Sequence, residues 1–335
     1  MDRKIVLSVE NLVTEFQTDD GTVRVLDGVS FQIPKGKTIG IVGESGCGKS
    51  VTSMSIMGLL PKPYGNVVGG RILYNETDLV QLSPDKLYEM RGNRISMIFQ
   101  DPMTALNPVH TIGKQINEVL ELHRPDLGKK QRLAYSLEML EKVGIPSPGS
   151  RIHEYPHNLS GGMRQRVMIA IALACEPDIL ICDEPTTALD VTIQAQILEL
   201  MKTLQDETGM SIIFITHDLG VVAEICDEVV VMYAGRVAEQ AGIFELFDNP
   251  KHPYTQGLMS SMPSLNLQPK TELETIQGTV PSLHEMPAGC RFSTRCKYKQ
   301  DICNTEVPII SEVGLLHQVS CHFTHQLIAN NEVVK

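Results

Sequence analysis

The chain has 335 residues, 29 of them basic and 40 acidic, for a formal net charge of −11. At about 150 residues per domain this length predicts roughly two domains, and a content of 42% hydrophobic and 21% charged residues excludes the disordered class. The acidic balance argues against a nucleic-acid partner held on a broad basic face; no apolar run approaches the ~18 residues that span a bilayer; and no secretory leader is expected at the first residues.

Residues 1–35 read as β-rich. Leu7 to Leu12 alternates, and Val23 to Ile33 is rich in branched residues with turn signals at Asp20-Gly21 and Asp27-Gly28. Thr38 to Val42 is a short apolar strand that runs into a glycine-rich loop, and Ser50 to Leu60 is a helix stopped by Pro61 and Pro63. Ile95 to Phe99 is a further buried strand. From Pro102 to Asn158 the pattern turns helical, with Ile112, Ile116, Val119 and Leu120 on one face and Leu133, Leu137, Leu140 and Val143 on another. A helix after Ser160 leads to the strand Ile179 to Cys182, the helix Val191 to Glu207, the strand Ser211 to Ile215 and a last strong strand, Val229 to Met232. Strands alternating with helices predict a mostly parallel sheet covered on both faces. After Phe247 prolines break the chain into short pieces, so a boundary is placed near Asn249.

Gly43-Glu44-Ser45-Gly46-Cys47-Gly48-Lys49-Ser50 matches G-x-x-x-x-G-K-[ST] between a predicted strand and a predicted helix. Glycines let successive N–H groups curl around phosphate oxygens, and the helix after the loop turns its positive end to the same anion. Lys49 would neutralise the β- and γ-phosphates, and the Ser50 hydroxyl would coordinate Mg²⁺. The expected nucleotide contacts are Gly43, Ser45, Gly46, Cys47, Gly48, Lys49, Ser50 and Val51. Cys47 reads as a small spacer, oxidisable if the loop exposes it.

The strand Ile179 to Cys182 ends in Asp183-Glu184, which places two carboxylates where ligands bind open α/β sheets. Asp183 suits the Mg²⁺ shell. Glu184 suits the attacking water as base or orienting group. The bland alternative is a solvated strand end. His217 and Gln100 also come after apolar strands: His217 as a γ-phosphate contact or a structural histidine, Gln100 as an Mg²⁺ or water ligand.

Leu159-Ser160-Gly161-Gly162-Met163-Arg164-Gln165-Arg166 resembles the signature of the ABC (ATP-binding cassette) ATPases. Thr187-Ala188-Leu189-Asp190 is similar to their D-loop, Gln100 to their Q-loop glutamine and His217 to their switch histidine. Phe16 stands where the family stacks an aromatic ring on adenine, with a core strand residue as the alternative. Met163 departs from the glutamine usual there, and a thioether is a weak acceptor and no donor. Phe99 to Pro108, Tyr155-Pro156-His157 and His252-Pro253-Tyr254-Thr255 resemble the ATP-binding subunits of bacterial dipeptide and oligopeptide importers.

The resemblance implies an α/β P-loop ABC ATPase cassette over residues 1–248, with a RecA-like core, an antiparallel β subdomain and a helical insertion at about 102–164. A small Cys-rich C-terminal domain would come after it over 249–335. It implies ATP hydrolysis by Glu184, His217 and Gln100, with Mg²⁺ held through Ser50, Gln100 and Asp183. Ser160, Gly161, Gly162 and Asp190 would act on the ATP of a second cassette. The implied partners are two transmembrane permease subunits, a sister ATPase in a heterodimer, and a periplasmic or lipoprotein substrate-binding protein. The chain would sit on the cytoplasmic face of the bacterial inner membrane and power peptide import. The alternatives are an importer of nickel or another small solute, or a soluble non-transport ABC ATPase. Only about 110 residues separate Lys49 from Ser160, too few for the long coiled coil of repair ATPases.

Four of eight cysteines, Cys290, Cys296, Cys303 and Cys321, form C-x5-C-x6-C-x17-C. A chain in the reducing cytosol disfavours disulfides. Paired zinc knuckles are lacking, so spacing alone leaves a four-thiolate metal site, an iron–sulfur cluster and unliganded thiols open. The resemblance implies a [4Fe–4S] cluster on these four. His317, His322 and His325 are alternative ligands or surface histidines, and Arg291, Arg295, Lys297 and Lys299 would offset thiolate charge.

Overall fold

The computed structural model describes residues 3–187, 189–262 and 275–324. Ala188 and His325 therefore lie outside the described residues. The chain forms two discontinuous compact units. The first contains the residues up to Leu7, Ile33–Thr38 and Tyr74–Ile215; the second contains Ser8–Gln32, Ile39–Leu73 and the chain from Thr216 onward.

In the first unit the strands Ile95–Ile98, Ile179–Asp183 and Ser211–Thr216 pair in parallel, with Ile95 opposite Ile179 and Asp183 opposite Ile215. Every residue of the three strands is buried, which is why they read as unbroken apolar runs rather than alternating ones. The helical stretch folds as Ile112–His123, Lys129–Lys142 and Gly161–Leu173, which pack on one another. Ile112, Ile116 and Leu120 are wholly buried, along the i, i+4 stripe of the sequence. Thr111 caps the first of these helices through the Lys114 N–H. The helix Val191–Thr208 begins on Asp190, whose carboxylate accepts the Ile193 N–H at 2.9 Å, and ends at left-handed Gly209.

In the second unit the long strands Ile5–Thr18 and Gly21–Pro34 form a hairpin, with Gly65–Tyr74 on the other side of the first. Thr38–Val42 runs parallel to Glu228–Tyr233, Ile41 opposite Val230. Arg236–Gly242 then turns back antiparallel, and the C-terminal strands His317–Val319 and Ser311–Gly314 continue the sheet beyond it. The antiparallel strand Arg236–Gly242 is not visible in the sequence, because Glu239 interrupts its apolar run. That carboxylate is fully buried. It accepts the Lys251 N–H at 2.7 Å and the His252 N–H at 2.9 Å, and pairs with His317 Nε2 at 2.7 Å. The helix after the glycine-rich loop is Lys49–Met57, shorter than expected: Gly58, at φ +62°, ends it before the prolines.

His252 is buried, and its Nδ1 accepts the Tyr254 N–H at 3.0 Å. Burial, opposed by the Glu239 carboxylate, lowers its pKa from 6.5 to about 4. The unfolded chain therefore binds a proton between those values that the native state refuses, and stability falls as pH drops from 6.5 towards 4, by about 3 kcal/mol for this group. His252→Asn keeps a capping acceptor and removes the titration. Denaturant unfolding across this range should show a pH slope smaller by one proton; equal slopes would contradict the assignment.

Candidate functional site

The phosphate loop lies in the second unit, between the strand Thr38–Val42 and the helix Lys49–Met57. Gly43, Gly46 and Gly48 all have positive φ. At Gly43 a Cβ would stand 2.2 Å from the Met232 carbonyl oxygen, so the loop passes this strand only as glycine. Lys49 is 5% exposed, and its ammonium donates to the Gly43 carbonyl at 2.8 Å and the Glu44 carbonyl at 3.2 Å. Ser45 and Gly46 are exposed, and Ser50 and Val51 half-buried. Cys47 is buried rather than exposed by the loop, and burial pushes its thiol up, so the expected oxidisable position is not there. Its carbonyl accepts the Gly235 N–H at 2.8 Å.

Two residues far along the chain close on Glu44. Its N–H donates to the Tyr254 hydroxyl at 2.9 Å, and its carboxylate takes Arg295 Nη1 at 2.9 and 3.0 Å. Arg291 in turn pairs with Asp27 at 2.8 Å. These two arginines are thus committed to carboxylates and do not serve to offset thiolate charge. Lys297 lies over the Tyr298 ring. No local pattern announces the pairing of residues 44 and 295.

The acidic pair lies in the first unit. Asp183 ends its strand buried, and Glu184 comes next in left-handed backbone, φ +48°. A non-glycine residue there is strained, and strain of this kind collects at functional sites. The backbone is held by the Glu184 N–H donating to the Ile215 carbonyl at 2.9 Å. The side chain is held too: Gln100 Nε2 and Thr187 Oγ1 each donate to Glu184 Oε2 at 3.1 Å. Thr187 is legible in the sequence only as part of the D-loop, and its grip on the carboxylate is not.

Ser160 caps the helix Gly161–Leu173, accepting the Met163 N–H at 3.4 Å, and Ser160 and Gly161 are exposed. Gly162 packs on Ile193, which a Cβ would meet at 3.0 Å. Met163 joins this cap through its backbone, so its side chain is not needed to form it. Arg164 reaches Met103 and the Leu159 carbonyl. Asp190 is exposed. In the second unit Phe16 is half-buried with its ring against Gly65, outside the fully buried core, and His217 is exposed just after the strand Ser211–Thr216.

Cys290, Cys296, Cys303 and Cys321 line one small cavity with His322 and Phe292. Burial, with the neighbouring thiols adding to it, raises Cys296 to about 11, and burial raises Cys290 and Cys321 as well. Among the described residues, no three His, Cys, Asp or Glu side chains are grouped closely enough to hold a metal ion. His317 is committed to Glu239.

A strand–glycine loop–helix with a buried lysine, an acidic strand end and a serine-capped signature define an ABC ATPase cassette. The family model for "ABC transporter" matches residues 26–187, and that for the "Oligopeptide/dipeptide transporter, C-terminal region" matches residues 238–303. The solved structure of the ATP-binding cassette MJ0796, a dimer bound to ADP and Pi in a post-hydrolysis state, superposes with a TM-score of 0.63 at 28% identity, covering 71% of this chain and 98% of that one. The dipeptide transport ATP-binding protein DppD of Bacillus subtilis is 54% identical over 321 residues, 96% of this chain and 95% of the relative. The oligopeptide transport ATP-binding protein OppD of the same organism is 51% identical over 320 residues, 96% and 89% of the two chains. The chain belongs to the family of ATP-binding subunits of peptide ABC transporters.

Gly43→Ala forces a Cβ into the Met232 carbonyl at a backbone angle of φ +153°. The loop must shift, at a cost of about 1–3 kcal/mol. ATP binding by titration should weaken at least tenfold; wild-type affinity would show that the close approach does not shape the loop.

Proposed function

We propose that this chain is the ATP-hydrolysing subunit that powers import of di- and oligopeptides through an ABC transporter of the bacterial inner membrane. The observation that carries the reading is Glu184: a carboxylate at a buried strand end, in left-handed backbone, fixed by Gln100 and Thr187. A base or orienting group needs this kind of immobilisation to align a water with the γ-phosphate. The loop 43–51 binds the phosphates through its N–H groups and Lys49, which exchanges its carbonyl partners for the β- and γ-phosphates. His217 contacts the γ-phosphate, and Phe16 stacks on adenine. Ser50, Gln100 and Asp183 each carry a hard oxygen donor of the kind that suits Mg²⁺, which would supply positive charge against the phosphates.

Ser160, Gly161, Gly162 and Asp190 would serve the ATP of a second cassette. The exposed serine and glycine at the start of a 13-residue helix support this role, since such an end attracts phosphate. Closure on ATP and release on hydrolysis would then drive two permease subunits, gripped by the helical stretch 102–164. A sister ATPase and a substrate-binding protein complete the proposed importer. No helix among the described residues is long and apolar enough to cross a membrane. A net charge of −11 disfavours anionic lipid, and the attachment proposed is through these protein partners. The boundary at 248/249 is proposed as a functional one, separating the cassette from an extension over 249–335. For that extension we propose a [4Fe–4S] cluster on Cys290, Cys296, Cys303 and Cys321. What supports the reading is that the four thiols match the donor number and line one cavity; among the described residues no three ligating side chains stand at metal-ligand spacing.

Glu184→Gln should keep ATP binding and lose at least ~100-fold in turnover; unchanged steady-state hydrolysis would defeat the assignment. Protein purified without oxygen should be brown, with broad absorbance near ~400 nm and bound iron. A colourless, zinc-loaded protein would overturn the cluster.

A further inference from the structure

Glu44 is held at every polar group it has. Its N–H donates to Tyr254, its carboxylate takes Arg295, and its carbonyl accepts the Cys47 N–H at 3.2 Å and the Lys49 ammonium at 3.2 Å. Both outside partners come from beyond residue 248. Tyr254 is completely buried and makes edge contact with Tyr233, which also meets Phe292 edge-on. The Arg295 side chain is 5% exposed. Its Nε donates to the Gln277 carbonyl at 3.0 Å and its Nη2 to the Ile276 carbonyl at 3.3 Å, while its guanidinium lies over the Tyr233 ring. Neither partner is a surface chain that happens to reach the loop. Both rest on the Tyr233 ring, each has further contacts away from Glu44, and each presents one group to it.

We infer that Arg295 and Tyr254 are positioning residues for ATP binding, which hold the phosphate loop in its anion-binding shape through Glu44. The contacts have two physical consequences. A loop with three glycines at positive φ loses much backbone entropy when ordered around an anion, and a pinned Glu44 has removed part of that loss before ATP arrives. A carboxylate beside the phosphate cradle also repels a triphosphate, and Arg295 pairs with that charge at hydrogen-bond distance. The brace touches no reacting atom. Its effect belongs to ATP affinity and leaves the chemical step alone.

The inference rests on residues 43–50 being an ATP-phosphate loop, which wild-type ATP binding tests separately. The experiment uses the purified full-length chain and measures ATP dissociation constant, KM and kcat together. Arg295→Gln and Tyr254→Phe should each raise the dissociation constant and KM for ATP by about five- to twentyfold, with kcat within twofold at saturating ATP, and Glu44→Gln, which loses the brace and the repulsion together, should raise them by less than Arg295→Gln. Arg295→Lys should recover part of the loss. The double variant Arg295→Gln/Glu44→Gln should be no weaker than the worse single one, because the two act on one contact. Tyr254→Phe alters a single hydroxyl and keeps the inference open to refutation if the arginine variants fail to fold. Wild-type affinity in variants that fold, losses that multiply in the double variant, or a fall in kcat at unchanged affinity would each overturn it. A wild-type chain that does not bind ATP would instead refute the loop assignment.

Discussion

Burying a carboxylate in the middle of a strand is the constraint around which the second unit is arranged. Glu239 has no water to turn to, so it must be met by donors, and all three come from residues later in the chain: the backbone of Lys251 and His252 and the imidazole of His317. Satisfying it brings the chain at 251–252 and the strand His317–Val319 to the same edge. The first places Tyr254 under the phosphate loop; the second extends the sheet. The region after residue 248 is therefore bound to the strand before it by hydrogen bonds that cannot be exchanged for solvent.

In the first unit a different constraint operates. Glu184 is not buried, but its backbone sits in a conformation that costs energy, at the end of a strand that is otherwise apolar. The Ile215 carbonyl holds the main chain, while Gln100 and Thr187 hold the side chain from two directions. A carboxylate restrained at both ends would lose little entropy in the water-orienting role proposed for it, which a freely moving side chain at a solvated strand end would not offer.

Much of this is legible in order. The loop 43–50, the pair Asp183-Glu184 and the signature at Ser160 are local words, and each falls where the sequence pattern puts it: between a strand and a helix, at a strand end and at the start of a helix. The helices 112–123 and 191–208 keep to their apolar stripes to within a residue or two. The features that escape depend on distance or on exceptions to pattern. Arg236–Gly242 is hidden because a buried glutamate looks like a surface residue in sequence. The helix after the loop reads too long because Gly58 stops it before the prolines. Arg295 reads as a partner of the thiols beside it, although its carboxylate lies 251 residues earlier. Neighbours in sequence are poor guides to the partners of a long cationic side chain.

The pairing of Glu44 with Arg295 bears on how such chains can change over generations. A relative that exchanged its tail as a unit would also exchange the counter-ion of a loop residue it had kept. Altering Glu44 alone strands a guanidinium that is almost wholly enclosed, and altering Arg295 alone leaves a carboxylate in the glycine-rich loop without its counter-ion. In this chain, therefore, the loop and the tail cannot be altered one at a time without stranding a charge, and a graft of either would have to carry its counter-ion with it.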